Sequence, residues 1–411
     1  DDINVKAGLV YRLKDDVEEI SNIRLGYTGR FVDDSFKATE YNLTVEHASD
    51  FPSLDGFLLD DYYNRDNLSS GWFKIQKNVD KYTVTKNIHS AYAEATYQFT
   101  SRWIVNLGLK YDYVDINVDY NVNRGGSEGS NTIRKDYFLP SLNLKYNLNE
   151  KHSLRLGASK TYTLPQAKEI SPYRYVGVNF NSQGNPNLKP SDNYNFDLKW
   201  DFNPSPTELV SLTAFYKHIK DPISRIEVAS AGGYLSYENI SDRAIVAGVE
   251  VEIRKNLFVR PLSSAANGMN KLSFGLNGSY IYTNAKMPLA TVTTGSQLEG
   301  AAPWIANFDL SHHFTRDERS FVNTLVLNYV SDKIYTIGTQ GYQDIMERGL
   351  VTLDFVSQAR LNKYLSLNLK ARNLLNPSHK LSRKANESGE KVVLGDYKKG
   401  INISLGVSCT F

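Results

Sequence analysis

The sequence predicts an all-β fold, a transmembrane antiparallel β-barrel with about 15 strands in this chain. Apolar and polar residues alternate along most of the chain, so each predicted strand has two contrasting faces. The connections between predicted strands alternate between short and long, which is typical of barrels in bacterial outer membranes. Aromatic residues make up 12% of the 411 residues, and most of them are tyrosines.

Composition excludes several other classes of protein. The 47 Lys and Arg residues nearly balance 45 Asp and Glu residues, so the net charge of +2 gives no reason to expect a nucleic-acid partner. No apolar stretch approaches the ~18 residues that a membrane helix needs. The mean hydropathy of -0.42 is compatible with a membrane barrel, because every second residue of a barrel strand is polar. A single cysteine, Cys409, excludes an internal disulfide.

The predicted strands follow one another at period two along the whole chain. The clearest is the last, where Ile401, Ile403, Leu405 and Val407 alternate with small polar residues. Most of the strands have about ten residues, enough to cross a bilayer at a tilt. In order, the predicted strands cover 3–13, 23–31, 91–99, 103–113, 138–146, 154–158, 194–202, 210–216, 249–253, 272–282, 304–314, 321–329, 351–361, 365–372 and 401–411.

The predicted connections separate into two sets by length. The short ones are 100–101, 148–151, 203–207, 315–320 and 361–363. The long ones are 32–87, 114–134, 164–192, 217–243, 284–303, 331–346 and 376–399. Two links on the short side, 14–22 and 255–271, are longer than this rule expects. Short turns at one rim and long loops at the other predict a membrane barrel with its long loops outside the cell.

Aromatic residues cluster where these strands are expected to meet the two membrane surfaces. One predicted girdle lies by the short turns and contains Trp103, Trp200 and Phe202. The other lies toward the long loops and contains Tyr111, Tyr113, Tyr280, Tyr282 and Tyr329. A soluble propeller or stack of sandwiches is the alternative, and it explains the alternation. It explains neither the sorted loops nor the uniform strand lengths.

The number of strands predicts that the barrel is incomplete in this chain. Counting back through about 15 antiparallel strands from the C-terminus places the first residue on the long-loop side. Single-chain bacterial barrels have even strand numbers and normally start on the periplasmic side, so we expect earlier strands to be absent here. A miscount by one strand would instead restore a closed barrel of even number.

A loop motif resembles a known family. The stretch 184–191 reads Gly-Asn-Pro-Asn-Leu-Lys-Pro-Ser and leads into the strand at 194–202. It resembles the GNPxLKPE segment of TonB-dependent outer-membrane receptors, with Ser191 replacing the usual acidic residue. The stretch 372–376 and the final strand also resemble that family. The motif residues are interpreted as structural, because prolines and glycine shape an extended loop end; they are Gly184, Asn185, Pro186, Leu188, Lys189 and Pro190.

This resemblance implies a 22-stranded barrel in the outer membrane of a Gram-negative bacterium, filled by an N-terminal plug. Residues 1–411 would be the C-terminal portion of the barrel, with neither plug nor TonB box in this chain. The implied function is active import of a scarce large nutrient, an iron chelate, glycan, peptide or vitamin, with energy from the TonB complex. Outer-membrane lipid and a surface lipoprotein are further expected partners. Phe411 resembles the terminal aromatic signal for barrel assembly, although it is also explained as a lipid-facing strand end.

The long loops are the expected place for ligand recognition. Tyr173, Arg174 and Tyr175 combine two aromatic faces with a cation, which suits a glycan or an anionic chelate. An ordinary loop with girdle tyrosines is the alternative explanation of this tripeptide. Binding of a small molecule, glycan or peptide is thus predicted here.

Neither an enzyme nor a cofactor is predicted. The chain has no nucleophile elbow, phosphate-binding loop or zinc-protease motif, and its seven histidines lack ligand spacing. His312 and His313 are adjacent in a strand and therefore face opposite sides. Two alternatives to active import stay open, a passive porin-like channel and a structural or adhesive barrel that acts through its loops.

Overall fold

The computed structural model describes residues 1–13, 21–45, 64–122, 127–229, 233–262, 268–285, 297–385 and 389–410. Strands account for nearly all of the regular structure. Two short helices are present in the described part of the chain, α1 (Arg65–Ser69) and α2 (Ala167–Ile170). Among these residues, no helix has the length and apolar character required to cross a membrane.

The strands, in chain order, are β1 (Asp2–Arg12), β2 (Asn22–Val45), β3 (Phe73–Gln98), β4 (Trp103–Val122), β5 (Ser127–Asn147), β6 (His152–Thr163), β7 (Arg174–Tyr175), β8 (Asn181–Gln183), β9 (Ser191–Phe202), β10 (Leu209–Lys220), β11 (Ile223–Val228), β12 (Tyr234–Asn239), β13 (Arg243–Pro261), β14 (Met269–Ala285), β15 (Trp304–Arg316), β16 (Arg319–Val330), β17 (Lys333–Thr336), β18 (Ile345–Glu347), β19 (Leu350–Arg360), β20 (Leu365–Arg372), β21 (Ser378–Lys384), β22 (Lys391–Lys398) and β23 (Asn402–Cys409).

Fifteen of these strands form one antiparallel sheet, which confirms the predicted fold class and strand number. Its order is β1-β2-β3-β4-β5-β6-β9-β10-β13-β14-β15-β16-β19-β20-β23. Because neighbours in this sheet run antiparallel, the connections alternate between its two rims, with the long ones together at one rim as predicted. β1 starts at that long-loop rim, where Asp2 lies opposite Val32. Within the described residues β1 pairs only with β2 and β23 only with β20.

The two faces of the sheet carry the predicted contrast in polarity. On one face, bulky apolar side chains are exposed, and Leu109, Leu198 and Leu405 are 52%, 52% and 70% exposed. The other face carries charged pairs, such as Lys199 with Asp201 at 3.4 Å between ammonium nitrogen and carboxylate oxygen. Large exposed apolar side chains on an ordered sheet indicate contact with hydrocarbon.

Rings of aromatic side chains border the apolar face at both ends. Near the short turns, Trp103 stacks on Tyr146 with a ring-centroid distance of 4.3 Å. Toward the long loops, Tyr280 contacts Trp304 at 4.6 Å between centroids. Such rings prefer the level of the lipid headgroups, so they mark the two boundaries of the membrane.

Four strands are much longer than the sequence predicted. Strands β2, β3, β4 and β5 have 24, 26, 20 and 21 residues, so the expected loops 32–87 and 114–134 are partly strand. Beyond Tyr113 the two faces exchange polarity, because Val114, Ile116 and Val118 are fully buried on the inner face. These side chains pack against the loop that follows β6, while the outer face meets water. The prediction failed here because it assumed the membrane pattern throughout.

The predicted link 255–271 is also mostly strand. β13 continues to Pro261 with a bulge between Asn256 and Phe258, and β14 begins at Met269. The bulge shifts the alternation by one residue, which hid the end of the strand in the sequence. The other exceptional link, 14–22, falls largely outside the described residues.

The long loops carry two small sheets of their own. The first loop sheet has the order β11-β12-β8-β7, and the second loop sheet has the order β17-β18-β21-β22. A parallel bridge between Ile226 and Ile337 joins them. We call these two sheets together the loop layer. It connects loops from separate hairpins into one structure at the long-loop rim.

Candidate ligand-binding site in the loop layer

The predicted recognition tripeptide lies at the edge of the first loop sheet. Arg174 and Tyr175 form β7 and pair with β8. Tyr173 and Tyr175 contact each other edge to face at 4.6 Å between centroids, and both contact Phe36 of β2. The Tyr175 hydroxyl lies 2.6 Å from that of Tyr82. All three tripeptide residues are half-buried, so much of the surface of the two tyrosines serves packing.

Tyr175 nevertheless contributes to a pocket of about 310 Å³ in the loop layer. Lys168 holds its ammonium 4.6 Å from the centre of the Tyr175 ring. Arg225 lies over the Tyr335 ring at 4.0 Å. Two cations and several aromatic rings thus line the pocket, and its lining residues include no acid: Lys168, Tyr175, Val176, Gly177, Val178, Asn179, Phe180, Ser182, Arg225, Leu235, Tyr237, Tyr335 and Leu381.

Arg225 is held in place by a carboxylate behind the pocket wall. One Glu299 oxygen lies 2.8 Å from an Arg225 guanidinium nitrogen, and the other accepts the Arg225 backbone N–H at 2.5 Å. The ring of Tyr335 supports the flat guanidinium from one side. Such a guanidinium keeps its planar orientation and has donors left for a second anion.

A second carboxylate near the pocket is less readily ionised than usual. Burial raises the pKa of the Glu169 carboxyl, and the nearby Glu299 carboxylate raises it further. A Glu169 oxygen accepts the backbone N–H of Gln166 at 2.9 Å, which points it along α2. Glu169 therefore keeps its proton to a higher pH than an exposed glutamate, and it opposes the charge of Lys168 less.

The motif at 184–191 ties the walls of this pocket together. Asn185 donates its side-chain N–H to the carbonyl of Tyr237 at 2.9 Å, and its backbone N–H to Glu169 at 2.6 Å. The backbone N–H of Lys189 donates to the side-chain oxygen of Asn239 at 2.8 Å. Leu188 is 3% exposed and packs in the core beneath the loop. These contacts fix α2 against β12, and the structural interpretation of the motif stays a prediction.

Gly184 is the motif position most sensitive to substitution. A Cβ added at Gly184 would overlap the carbonyl oxygens of Ser171 and Lys168, which are backbone atoms and cannot rotate away. We expect Gly184→Ala to displace α2, with its Lys168, and to destabilise the fold by about 1–3 kcal/mol. Urea unfolding measures this effect. In Gly157→Ala the new Cβ would lie no closer than 3.6 Å to its neighbours, so a comparable loss there would contradict the explanation.

The structure brings together residues that the sequence did not single out. Lys168, Arg225, Tyr237 and Tyr335 come from three different loops, and only Tyr175 was predicted. Arg174 instead stacks over the Tyr234 ring at 5.4 Å. The one available signal was the repeated placement of a cation near tyrosines in the long loops, which gives no pairing between loops. Ligand binding by Tyr173, Arg174 and Tyr175 stays a prediction.

Three further predictions concern the terminal aromatic residue, metal binding and the adjacent histidines. Phe411 lies outside the described residues. The described part of the chain contains no group of three or more His, Cys, Asp or Glu side chains that could hold a metal ion. His312 contacts Asn270 at 2.9 Å between side-chain atoms.

Solved structures that this chain resembles include a transporter and two receptors. The copper transporter OprC matches with a TM-score of 0.62 at 14% identity, over 100% of this chain and 56% of that one. The ferric yersiniabactin uptake receptor FyuA from Yersinia pestis gives 0.56 at 14% identity, over 95% and 55%. The siderophore receptor PiuA from Acinetobacter baumannii gives 0.56 at 13% identity, over 99% and 56%. At these identities the likeness shows the fold alone.

A curated relative is similar in sequence. The iron-regulated outer membrane virulence protein of Vibrio cholerae serotype O1 is 25% identical over 228 residues, which are 53% of this chain. The match spans only 32% of that protein, and the solved structures above are matched over about half of their length.

The family model described as "TonB dependent receptor-like, beta-barrel" matches residues 1–374. This family consists of receptors and transporters of the Gram-negative outer membrane and not of enzymes, so the predictions of location and of no enzymatic activity are confirmed. The resemblance seen in the loop motif is confirmed as well, and the chain belongs to the TonB-dependent receptor-like β-barrel family.

Proposed function

We propose that this chain is the ligand-recognising and pore-forming part of an active importer for an anionic metal chelate. The observation that carries the proposal is the pocket lined by Lys168, Arg225 and aromatic rings, with no acid in its lining. Cations that lie on aromatic faces suit a ligand that is both negatively charged and flat. An iron chelate meets this description, whereas a neutral glycan uses only the rings.

The relatives support the same class of ligand. One is named for its regulation by iron, one solved structure is named as a ferric yersiniabactin uptake receptor, and another is named as a siderophore receptor. Energy from the TonB complex and a plug inside the barrel are part of the proposal, because these features are typical of the family. A surface lipoprotein and specific lipid partners remain predictions.

We also propose that further strands are needed to close the barrel. The exposed edges of β1 and β23 present backbone groups that have no partner strand within the described residues. In hydrocarbon each unpaired backbone group costs several kcal/mol. We therefore propose that seven earlier strands complete a 22-stranded barrel, as the family resemblance implies.

Binding of two probes by the purified protein of full natural length tests the proposed ligand class. We expect saturable, salt-sensitive binding of the ferric complex of 2,3-dihydroxybenzoate, because cations in a half-buried pocket attract its negative charge. Maltohexaose, an uncharged glycan, is expected to show no saturable binding. Isothermal titration in detergent measures both.

Three outcomes would contradict the proposal. Binding of maltohexaose without binding of the ferric complex would indicate a glycan receptor. A steady open-pore current through the full-length protein in a planar bilayer would favour the porin-like alternative. Uptake of the ferric complex by cells lacking TonB, at the rate of cells that have it, would exclude active import.

A further inference from the structure

The two sheets of the loop layer meet along one narrow seam. The backbone N–H of Glu227 donates to the carbonyl of Ile337 at 3.0 Å, and the N–H of Ile337 donates to the carbonyl of Arg225 at 3.1 Å. Beneath this bridge, Ile226, Ile334 and Ile337 share one buried apolar cluster. Within the described residues, a single backbone bridge joins the two sheets.

The candidate pocket spans this seam. Tyr175, Arg225 and Tyr237 come from the first loop sheet, while Tyr335 and Leu381 come from the second. Phe180, in the turn between β7 and β8, faces Tyr335 with 6.2 Å between ring centroids. The separation of the two sheets therefore sets the width of the pocket.

A buried ion pair also crosses the seam. Glu227 of β11 contacts the guanidinium of Arg383 of β21, and their side chains are only 14% and 17% exposed. The Arg383 guanidinium lies 5.3 Å from the centre of the Tyr342 ring. Glu227 and Arg225 are two residues apart in β11, so their side chains leave the same face of the strand.

We propose that the Glu227–Arg383 pair is a latch that holds the two loop sheets together and controls access to the pocket. If either charge loses its partner without becoming hydrated, a charge is left unpaired in a buried position, which is strongly unfavourable. As a latch, the pair would have two arrangements, the joined one seen here with the sheets together and a hydrated one with the sheets apart. An element with two such packings is suited to a lid. This proposal depends on the proposed function only for the identity of the ligand that enters the pocket.

Labelling of a cysteine inside the pocket tests the latch without any ligand. Ser182 is half-buried and lines the pocket, so Ser182→Cys reports access when the exposed Cys409 is replaced by serine. The probe is a membrane-impermeant maleimide applied to cells that carry the full-length protein. We expect Glu227→Gln, and separately Arg383→Gln, to raise the labelling rate at least tenfold. The charge exchange Glu227→Arg with Arg383→Glu is expected to bring the rate back to within about threefold of the parent, since a salt bridge of reversed direction can form again.

A second ion pair in the loop layer provides the matched control. Lys380 and Asp396 lie 3.4 Å apart within the second loop sheet, and both are nearly half exposed. Because an exposed pair contributes little, Lys380→Gln should leave the labelling of Ser182→Cys unchanged. Lys391→Cys, on exposed β22, gives the labelling rate of an open position and the amount of protein at the cell surface.

Three results would overturn the latch. The first is labelling of the Glu227→Gln and Arg383→Gln variants at the parental rate. The second is fast labelling that persists after the charge exchange, with normal surface amounts. The third is parental labelling of Ser182→Cys as fast as that of Lys391→Cys. None of these depends on chelate binding, so failure of the latch is distinguishable from failure of the proposed function.

Discussion

Removing both pocket cations, with Lys168→Gln and Arg225→Gln together, is expected to weaken binding of the ferric 2,3-dihydroxybenzoate complex at least a hundredfold. Each hydrogen bond from a charged group contributes about 1.5–3 kcal/mol, which corresponds to roughly tenfold or more in affinity per side chain. Both cations also lie on aromatic rings, at 4.6 Å and 4.0 Å, which keeps them oriented toward the pocket. Isothermal titration with the full-length protein measures the loss.

The controls separate charge in the pocket from charge in the loops at large. Lys391→Gln removes one positive charge from exposed β22, away from the pocket lining, and should leave the affinity within about twofold. Arg225→Gln by itself leaves Glu299 without its charged partner. The double variant Arg225→Gln with Glu299→Gln therefore removes the Arg225 charge without leaving an unpaired carboxylate. Affinity at the parental level in both forms would exclude Arg225 from the site.

Placing a charge on the lipid-facing wall is expected to destabilise the barrel strongly. Leu198 is 52% exposed and lies on β9 between the two aromatic girdles, opposite Ala214 of β10. Leu198→Arg should reduce the free energy of unfolding by about 2–4 kcal/mol, because the guanidinium would sit near the middle of the hydrocarbon. Urea unfolding in lipid vesicles measures the change.

The matching substitution on the inner face should be tolerated. Thr213 of β10 lies opposite Lys199 of β9 and Glu250 of β13, so its side chain faces the lumen. Thr213→Arg places the same group beside the Glu250 carboxylate, and we expect a change of less than about 1 kcal/mol. Equal destabilisation by Thr213→Arg and Leu198→Arg would contradict the assignment of the two faces.

Much of the sheet was predictable because the alternation of apolar and polar residues within each strand shows which side chains face lipid and which face the lumen. Leu198 and Lys199 are neighbours in the chain and face lipid and lumen, so the period of two was enough to assign both. The same rule failed beyond Tyr113, where Val114 and Ile116 turn inward against a loop and the polar residues turn out to water. Apolar and polar residues still alternate there. Which face is buried depends on the loop that packs against the strand, and the sequence of the strand does not contain that information.

The loop pocket shows most clearly what could not be predicted from the sequence. Tyr175 could be selected from its neighbours in sequence, whereas Lys168, Arg225 and Tyr335 acquire a shared role only when three loops meet. Their meeting depends on contacts such as the hydrogen bond from Asn185 to Tyr237, which joins one loop to the next. The sequence alone therefore decided the class of fold, the membrane wall and the family, since those follow from repeated short-range patterns. The tertiary structure decided the pocket and the seam beside it, because both are made by side chains that no periodicity connects.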